Sequence, residues 1–180
     1  KLRQSLPDAD FRPVDLSRLS EARAIYSDPY SFNYLIAHQV AEYLLCRKLP
    51  LQKLALPPCR QERFGRIMLD GAHNASGILT LLKGLEGRGE LPEVAIISMT
   101  AERDIERFCG LFAQKIPHIL TTVIPHNPRS VSMDTLAKLP YKSFDSPSKA
   151  LAYAEKTFSG RILVAGSLYL CALLRQKLVK

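Results

Sequence analysis

No stretch of this 180-residue chain approaches the ~20 consecutive apolar residues that a helix needs to cross a bilayer. The cationic start, Lys1-Leu2-Arg3, runs into Gln4-Ser5-Leu6-Pro7-Asp8 without the apolar segment of a secretory signal, so a cytoplasmic location is expected. Cysteine is sparse. Cys46, Cys59, Cys109 and Cys171 include no Cys-x-x-Cys pair, which argues against a structural zinc site. Their apolar settings read as four buried free thiols. Acidic residues are outnumbered, 17 against 25 basic ones, leaving a formal charge of +8. The basic residues are nonetheless spread along the chain, without the stripe or the interleaved aromatics of a nucleic-acid surface. Nucleic acid is therefore not an expected partner. Polyanionic small substrates such as nucleotides or polycarboxylates fit the charge, and so does a plain basic surface. Internal repeats and low-complexity tracts are absent as well.

What is present is an ordinary globular composition, 47% hydrophobic and 23% charged, in a chain long enough for one filled core and a smaller appendage. Residues 1–30 read as irregular, punctuated by Pro7, Pro13 and Pro29, with a short helical turn over 16–25. Asp28-Pro29 then opens a helix over roughly 31–47, where Phe32, Leu35, Ile36, Val40 and Leu44 recur at helical spacing. Residues 49–58 carry three prolines and read as a linker.

Beyond it the pattern becomes regular. Arg66-Ile67-Met68-Leu69-Asp70 predicts a strand ending in an acid. Ile78, Leu81, Leu82 and Leu85 mark an amphipathic helix closed by Gly87 and Gly89. Val94-Ala95-Ile96-Ile97 predicts a strand, and Ile105, Phe108, Leu111 and Phe112 a helix face. A β-branched strand over 119–124, a short helix near 132–139 and a brief strand at 141–144 follow. Ser146-Pro147 then starts a helix, as N-cap and first-turn proline. Arg161-Ile162-Leu163-Val164-Ala165-Gly166 is a last strand, and 167–178 a last helix. Strand alternates with helix about five times, and the strands are almost continuously apolar. That is the pattern of a parallel sheet with helices on both faces.

Ligands bind such sheets beyond the carboxyl ends of the strands. This directs attention to residues 70–74, 98–104 and 166–167. In the first, Asp70 ends a strand, Gly71 and Ala72 permit a tight loop, and His73 and Asn74 open a helix whose unpaired N–H groups favour an anion. Asn74 also fits as a helix N-cap alone, and Ser167 reads equally as the cap of the last helix. Arg129 reads as a solvated loop cation, and neither His38 nor His118 has a partner that the sequence names.

The five residues Asp70-Gly71-Ala72-His73-Asn74 resemble the Asp-Gly-Ala-His-Asn-Pro signature of folylpolyglutamate and dihydrofolate synthases, within the Mur ligase superfamily. Leu56-Pro57-Pro58-Cys59-Arg60-Gln61-Glu62 is similar to that family's Pro-Gly-Arg-x-Glu segment. Residues 99–105, with Arg103-Asp104, resemble its Lys-Asp segment, and Val164-Ala165-Gly166-Ser167-Leu168-Tyr169 its Gly-Ser-Leu-Tyr segment. Asn33 matches an Asn near the start of a helix before the linker. The resemblance thus covers nearly the whole chain in order. Ala75, Cys59 and Arg103 replace the usual proline, glycine and lysine, and the segment between Arg60 and Asp70 is about three residues shorter than typical.

The resemblance implies a Rossmann-like α/β domain with a mostly parallel sheet, the Mur ligase C-terminal domain, preceded by a helical segment. Residues 1–48 would be the C-terminal end of a central ATPase domain, 49–58 a linker, and 59–180 a glutamate-ligase domain. It also implies an ATP-dependent carboxylate–amine ligase that adds L-glutamate to a folate through an acyl phosphate. ATP and Mg would be required. The phosphate-binding loop Gly-x-x-x-x-Gly-Lys-Ser/Thr is not in this chain, so that loop, the Mg ligands and most folate contacts are expected in an N-terminal ATPase domain, its partner. By resemblance Asn33 would meet the adenine end of ATP, Arg60 the phosphates and Asp70 the ribose, while His73 and Ser167 would hold the incoming glutamate. No catalytic residue and no metal ligand are assigned within the chain, and a monomer is expected. Another Mur-type amino-acid ligase and a non-catalytic α/β binding module are the alternatives.

Overall fold

The computed structural model describes residues 12–26 and 30–179. The readings at Lys1-Leu2-Arg3, Pro7 and Asp28-Pro29 lie outside the described residues. The chain divides into two compact units, Lys1–Leu54 and Ala55–Lys180, with the break inside the proline-rich stretch.

The first unit contains helices α1 (Leu19–Ile25) and α2 (Tyr30–Leu44). Ala22, Tyr26, Leu35 and His38 are buried there. Prolines at 50, 57 and 58 keep the following segment out of helix, and two tyrosines hold its first half. The Tyr34 hydroxyl donates to the Gln52 carbonyl (2.9 Å) and accepts from the Gln52 N–H (2.8 Å); Tyr26 does the same for Leu54. His38 Nε2 lies 3.3 Å from the Pro50 carbonyl, which can only accept, so this nitrogen carries a proton. Residues 50–54 are thus stitched to α2 rather than free.

The buried face of α2 differs from the one its spacing suggests. Ser31, Leu35 and His38 are buried, whereas Phe32, Val40 and Leu44 are 40%, 51% and 72% exposed. Among the described residues, α1, the 50–54 segment, Asp15 (through Gln39) and Arg12 (over the Tyr43 ring) contact this helix. They cover the 31/35/38 line and leave an apolar stripe, about 100° round, in the open.

The second unit is a six-stranded sheet: β1 (Glu62–Phe64), β2 (Ile67–Leu69), β3 (Val94–Ile97), β4 (His118–Thr122), β5 (Lys142–Phe144) and β6 (Ile162–Ala165), in the order β1-β2-β6-β3-β4-β5. All pairings are parallel except β1 with β2. The antiparallel edge strand β1 is not signalled by the sequence, because Glu62-Arg63-Phe64 has no apolar alternation. Both edge strands are three residues long.

Every residue of β2, β3 and β6 is buried, which explains their continuous apolar character. Helices α3 (Ala75–Gly87), α4 (Ile105–Ala113) and α5 (Met133–Leu136) pack on one face. Helices α6 (Pro147–Thr157) and α7 (Leu168–Leu178) pack on the other. Ile78, Leu81, Leu82 and Leu85 are all at most 3% exposed, and each such side chain contributes roughly 1.5–3 kcal/mol of burial. Ser146 caps α6 through Lys149 N–H with Pro147 in the first turn, as its sequence suggests. Three cysteines are buried, but Cys46 is exposed. It follows the C-terminal end of α2.

Gly166 follows β6 at φ +95°, and a Cβ there would lie 2.6 Å from the carbonyl oxygen of Ser98, which follows β3. Only a glycine lets these two strand ends meet. Gly166→Ala should destabilise the unit by at least about 1–3 kcal/mol in urea unfolding. Gly110→Ala, inside α4 with nothing within 4 Å of the added methyl, should be neutral or stabilise by up to about 1 kcal/mol.

Candidate functional site

The five parallel strands bring their carboxyl ends to one edge of the sheet. β6 lies between β2 and β3, yet its chain continues into α7 on one face while β2 and β3 lead into α3 and α4 on the other. Departure to opposite faces from adjacent strands opens a crevice at that edge. The loops there are stitched together. Gly166 N–H donates to Ala72 O at 2.9 Å, Asp70 N–H to Val164 O at 3.0 Å, and Val131 N–H to Met99 O at 3.0 Å.

Asp70 is 2% exposed. Its Oδ1 accepts from Ala72 N–H (2.8 Å) and its Oδ2 from Gln61 N–H (3.1 Å). The carboxylate therefore ties the 70–74 loop to the segment entering β1. Charge-assisted bonds of this kind offset the cost of burying a carboxylate. The segment needs the tie, because Cys59 (φ +60°) and Gln61 (φ +49°) on either side of Arg60 are both in the left-handed region that side-chain-bearing residues avoid.

Arg60 is half-buried, and among the described residues its guanidinium has no hydrogen bond or ion pair. A Cβ on Gly71 would lie 3.3 Å from Arg60 Nη1 and 2.8 Å from Leu168 Cγ. The missing side chain of Gly71 thus lets a free guanidinium, the 70–74 loop and the first turn of α7 occupy one place. Gly71 N–H also donates to the Cys59 carbonyl at 2.8 Å.

His73 is half-buried, with Nδ1 2.9 Å from the Gly71 carbonyl. A carbonyl cannot donate, so Nδ1 holds a proton, which leaves Nε2 as the lone-pair nitrogen in the neutral form of the ring. Asn74 is the N-cap of α3, accepting from Gly77 N–H at 2.8 Å. Ser167 is buried and caps α7, accepting from Tyr169 N–H at 3.2 Å. Its hydroxyl proton is left to donate elsewhere. Four of the sequence-selected residues, Arg60, Asp70, His73 and Ser167, therefore come together at one strand edge. Asn33 belongs to the other unit, exposed and inside α2 rather than capping it.

Several contributors have partners that the sequence did not name. Glu62 accepts from Arg175 Nε with both oxygens (2.9 Å each) and from Cys59 N–H (2.9 Å), joining β1 to the last turn of α7. The Arg175 guanidinium, helped by the Cys59 N–H, holds the Glu62 carboxyl below the usual carboxylate range. Ser98 Oγ, fully buried just after β3, has no partner among the described residues. In the neighbouring loops Asp104 caps α4 through Arg107 N–H, and exposed Arg129 pairs with Glu102. Among the described residues no three His, Cys, Asp or Glu side chains cluster as metal ligands. A concavity of about 660 Å³ lies at the opposite end of the strands. Its charged groups are committed: Arg66 to the Phe158, Gly160 and Glu155 carbonyls, Lys115 to Glu86, and Glu93 to Gly160 N–H. It reads as a seam of the fold.

No protein-family model and no curated protein sequence matches this chain. Solved structures do. A ligand-free bifunctional folylpolyglutamate synthase/dihydrofolate synthase from Yersinia pestis superposes with a TM-score of 0.70 at 20% identity, covering 87% of this chain and 41% of that one. A Mycobacterium tuberculosis folylpolyglutamate synthase complexed with ADP gives 0.69 at 16% identity, with 87% and 41% covered. A bifunctional synthase with Mn, AMPPNP and L-glutamate bound gives 0.66 at 20% identity, with 84% and 40% covered. The likeness is one of fold, and the chain spans about 40% of the length of the structures it matches.

Two outcomes separate the structural from the available groups. Asp70→Ala, which strands two backbone donors, should cost about 2–4 kcal/mol in urea unfolding, whereas Arg60→Ala should change stability by less than about 0.5 kcal/mol. Because Glu62 has a depressed folded-state pKa, its contribution is full above the unfolded carboxylate value of about 4.3 and is lost as pH falls through the depressed value. Between roughly pH 5 and pH 3, wild type should therefore lose stability more steeply than Glu62→Gln.

Proposed function

We propose that this chain is the C-terminal part of an ATP-dependent ligase that adds L-glutamate to a folate, with residues 55–180 forming the glutamate side of the site. The observation that carries this reading is the unpaired Arg60 guanidinium beside the 70–74 loop, between the N-termini of α3 and α7. Together these supply fixed positive charge for an anion at the strand edge. The fold shared with synthases complexed with nucleotide or L-glutamate supports the same reading.

Such a ligase phosphorylates a carboxylate and lets an amine displace the phosphate. The protein's task is then to position the two groups and to stabilise charge. Arg60 meets the phosphates. Ser167, whose hydroxyl proton is uncommitted, donates to the incoming glutamate. The His73 Nε2 lone pair accepts from its ammonium group, so that the amine faces the acyl phosphate. Asp70, engaged with two backbone N–H groups, serves chiefly by shaping this loop. Asn33, on an exposed helix face, is available to adenine in a complete nucleotide site. Any divalent ion accompanying the nucleotide is held outside these residues.

The apolar stripe of α2, with Phe32, Val40, Tyr43 and Leu44 exposed and Leu45 exposed just beyond it, is larger than isolated surface residues warrant. It supports packing of the helical unit against a preceding ATPase domain. The chain alone should hydrolyse no ATP and bind it more weakly than micromolar by calorimetry. In the longer protein that joins it to a phosphate-binding loop, His73→Ala and Ser167→Ala should each raise KM for glutamate about tenfold or more while KM for ATP holds; Arg60→Ala should raise KM for ATP. Unchanged glutamate kinetics would sink the assignment. Turnover of nucleotide-linked muramyl precursors in place of folates would reassign it to another ligase of the same architecture.

A further inference from the structure

Gln61, immediately after Arg60, has a left-handed backbone (φ +49°). Glutamine lacks the short local bond by which asparagine or aspartate offsets that conformation. Asp70 holds its N–H from the loop side. Another hold reaches it from the far end of α3. That helix ends in a glycine turn, with Arg88 as C-cap and Gly89 (φ +64°) after it. Gly89 N–H donates to Glu86 O at 3.0 Å, and Glu90 N–H donates to Leu85 O at 2.8 Å. Both bonds that close such a turn are made, so Arg88 and Glu90 are fixed side by side.

From the turn runs a chain of charge-assisted bonds. Glu90 Oε2 accepts from Arg88 Nε at 2.7 Å and from Arg63 Nη2 of β1 at 2.6 Å. Aimed in this way, Arg88 Nη2 donates to Gln61 Oε1 at 3.0 Å. Burial pushes the Glu90 carboxyl up, but the Arg88 hydrogen bond and the Arg63 and Arg88 charges outweigh it and keep the group below the usual carboxylate range. Arg88 is the one partner of the Gln61 carboxamide among the described residues, because Gln61 Nε2 is buried and unbonded. Without Arg88 the whole carboxamide would be unsatisfied where it lies, and the side chain would leave for water. The backbone carrying it would then be free to abandon the left-handed region. Side chains as open as Arg88 and Glu90, 33% and 24% exposed, contribute little to overall stability. What their contact sets is direction.

We propose that Gln61 and Arg88 are positioning residues for Arg60. Glu90 aims Arg88, and Arg88 anchors Gln61. The anchored glutamine keeps the arm in the conformation that leaves the Arg60 guanidinium uncommitted beside Gly71. Neither residue touches substrate. Their bearing on the reaction rests on the reading of Arg60 as the cation that meets the phosphates; their hold on the arm does not.

The test begins with amide hydrogen exchange in the 180-residue chain, followed by NMR. The Gln61 N–H, bonded to Asp70, and the Gly71 N–H, bonded to the Cys59 carbonyl, report on the arm. Ile96 and Val164, buried in central strands, report on global unfolding. Arg88→Ala should speed exchange at Gln61 and Gly71 about tenfold or more and leave Ile96 and Val164 unchanged. Gln61→Asn suits a left-handed backbone better but is too short to reach Arg88, and it should speed exchange at Gly71 likewise. Exchange as slow as wild type in both variants would overturn the proposal. So would a uniform rise across all the amides followed, which marks a role in stability and not in position. In the longer protein, Arg88→Ala should raise KM for ATP about fivefold at unchanged kcat, and this effect should vanish when Arg60→Ala is already present. Additive effects of the two substitutions would cut the link to Arg60 and overturn the proposal. Faster exchange in the arm, with KM for ATP unmoved by Arg60→Ala itself, would uphold the positioning and remove the phosphate reading instead.

Discussion

A buried carboxylate receives the N–H groups of Gln61 and Ala72, and the arrangement of the sheet edge depends on that junction. The two segments it joins differ in kind. One is the loop by which a central strand turns into a helix. The other is the arm leading to a three-residue edge strand, with left-handed backbone on both sides of an arginine. Neither conformation is favoured locally. Held to one acceptor, each becomes the only arrangement that leaves no buried charge unsolvated. The Glu62 contacts to Arg175 and to the Cys59 N–H secure the arm a second time from α7. Arg60 is thereby held in place by its neighbours, and its own side chain stays uncommitted.

Chemistry and scaffold occupy opposite ends of the same strands. At the amino ends, arginines and acids close seams by binding main-chain carbonyls and N–H groups. At the carboxyl ends, Gly71 and Gly166 remove side chains where loops must approach, and two capped helices begin there.

Much of this was legible in the residues. Short continuous apolar runs identify β2, β3 and β6, and the 3.6-residue spacing identifies the faces of α3 and α4. The Ser146-Pro147 and Asn74 caps fall where their chemistry puts them. The strand-end rule pointed to Asp70, His73 and Ser167 before any geometry, and the family resemblance added Arg60. What escaped depends on long-range partners. Strand β1 exists because β2 offers an edge, and Glu62 finds Arg175 113 residues away. The tyrosine clamp on Gln52 and Leu54 turns half of a proline-rich linker into part of the helical unit. The buried line of α2 rotated away from its most apolar one because burial is set by which neighbours are present. The inward carboxylate of Asp70 could not be told from an exposed one by its place at a strand end.

The shortness of the two outer strands has a consequence of its own. A sheet border offers unpaired main-chain groups to any passing chain, and long flat borders nucleate aggregation. Here β1 and β5 expose only three residues each, and they carry Arg63 and Lys142, the latter standing 3.9 Å from the Tyr153 ring centroid. Charges and brevity deny a foreign strand the register it would need. The α/β unit is therefore protected against self-templating.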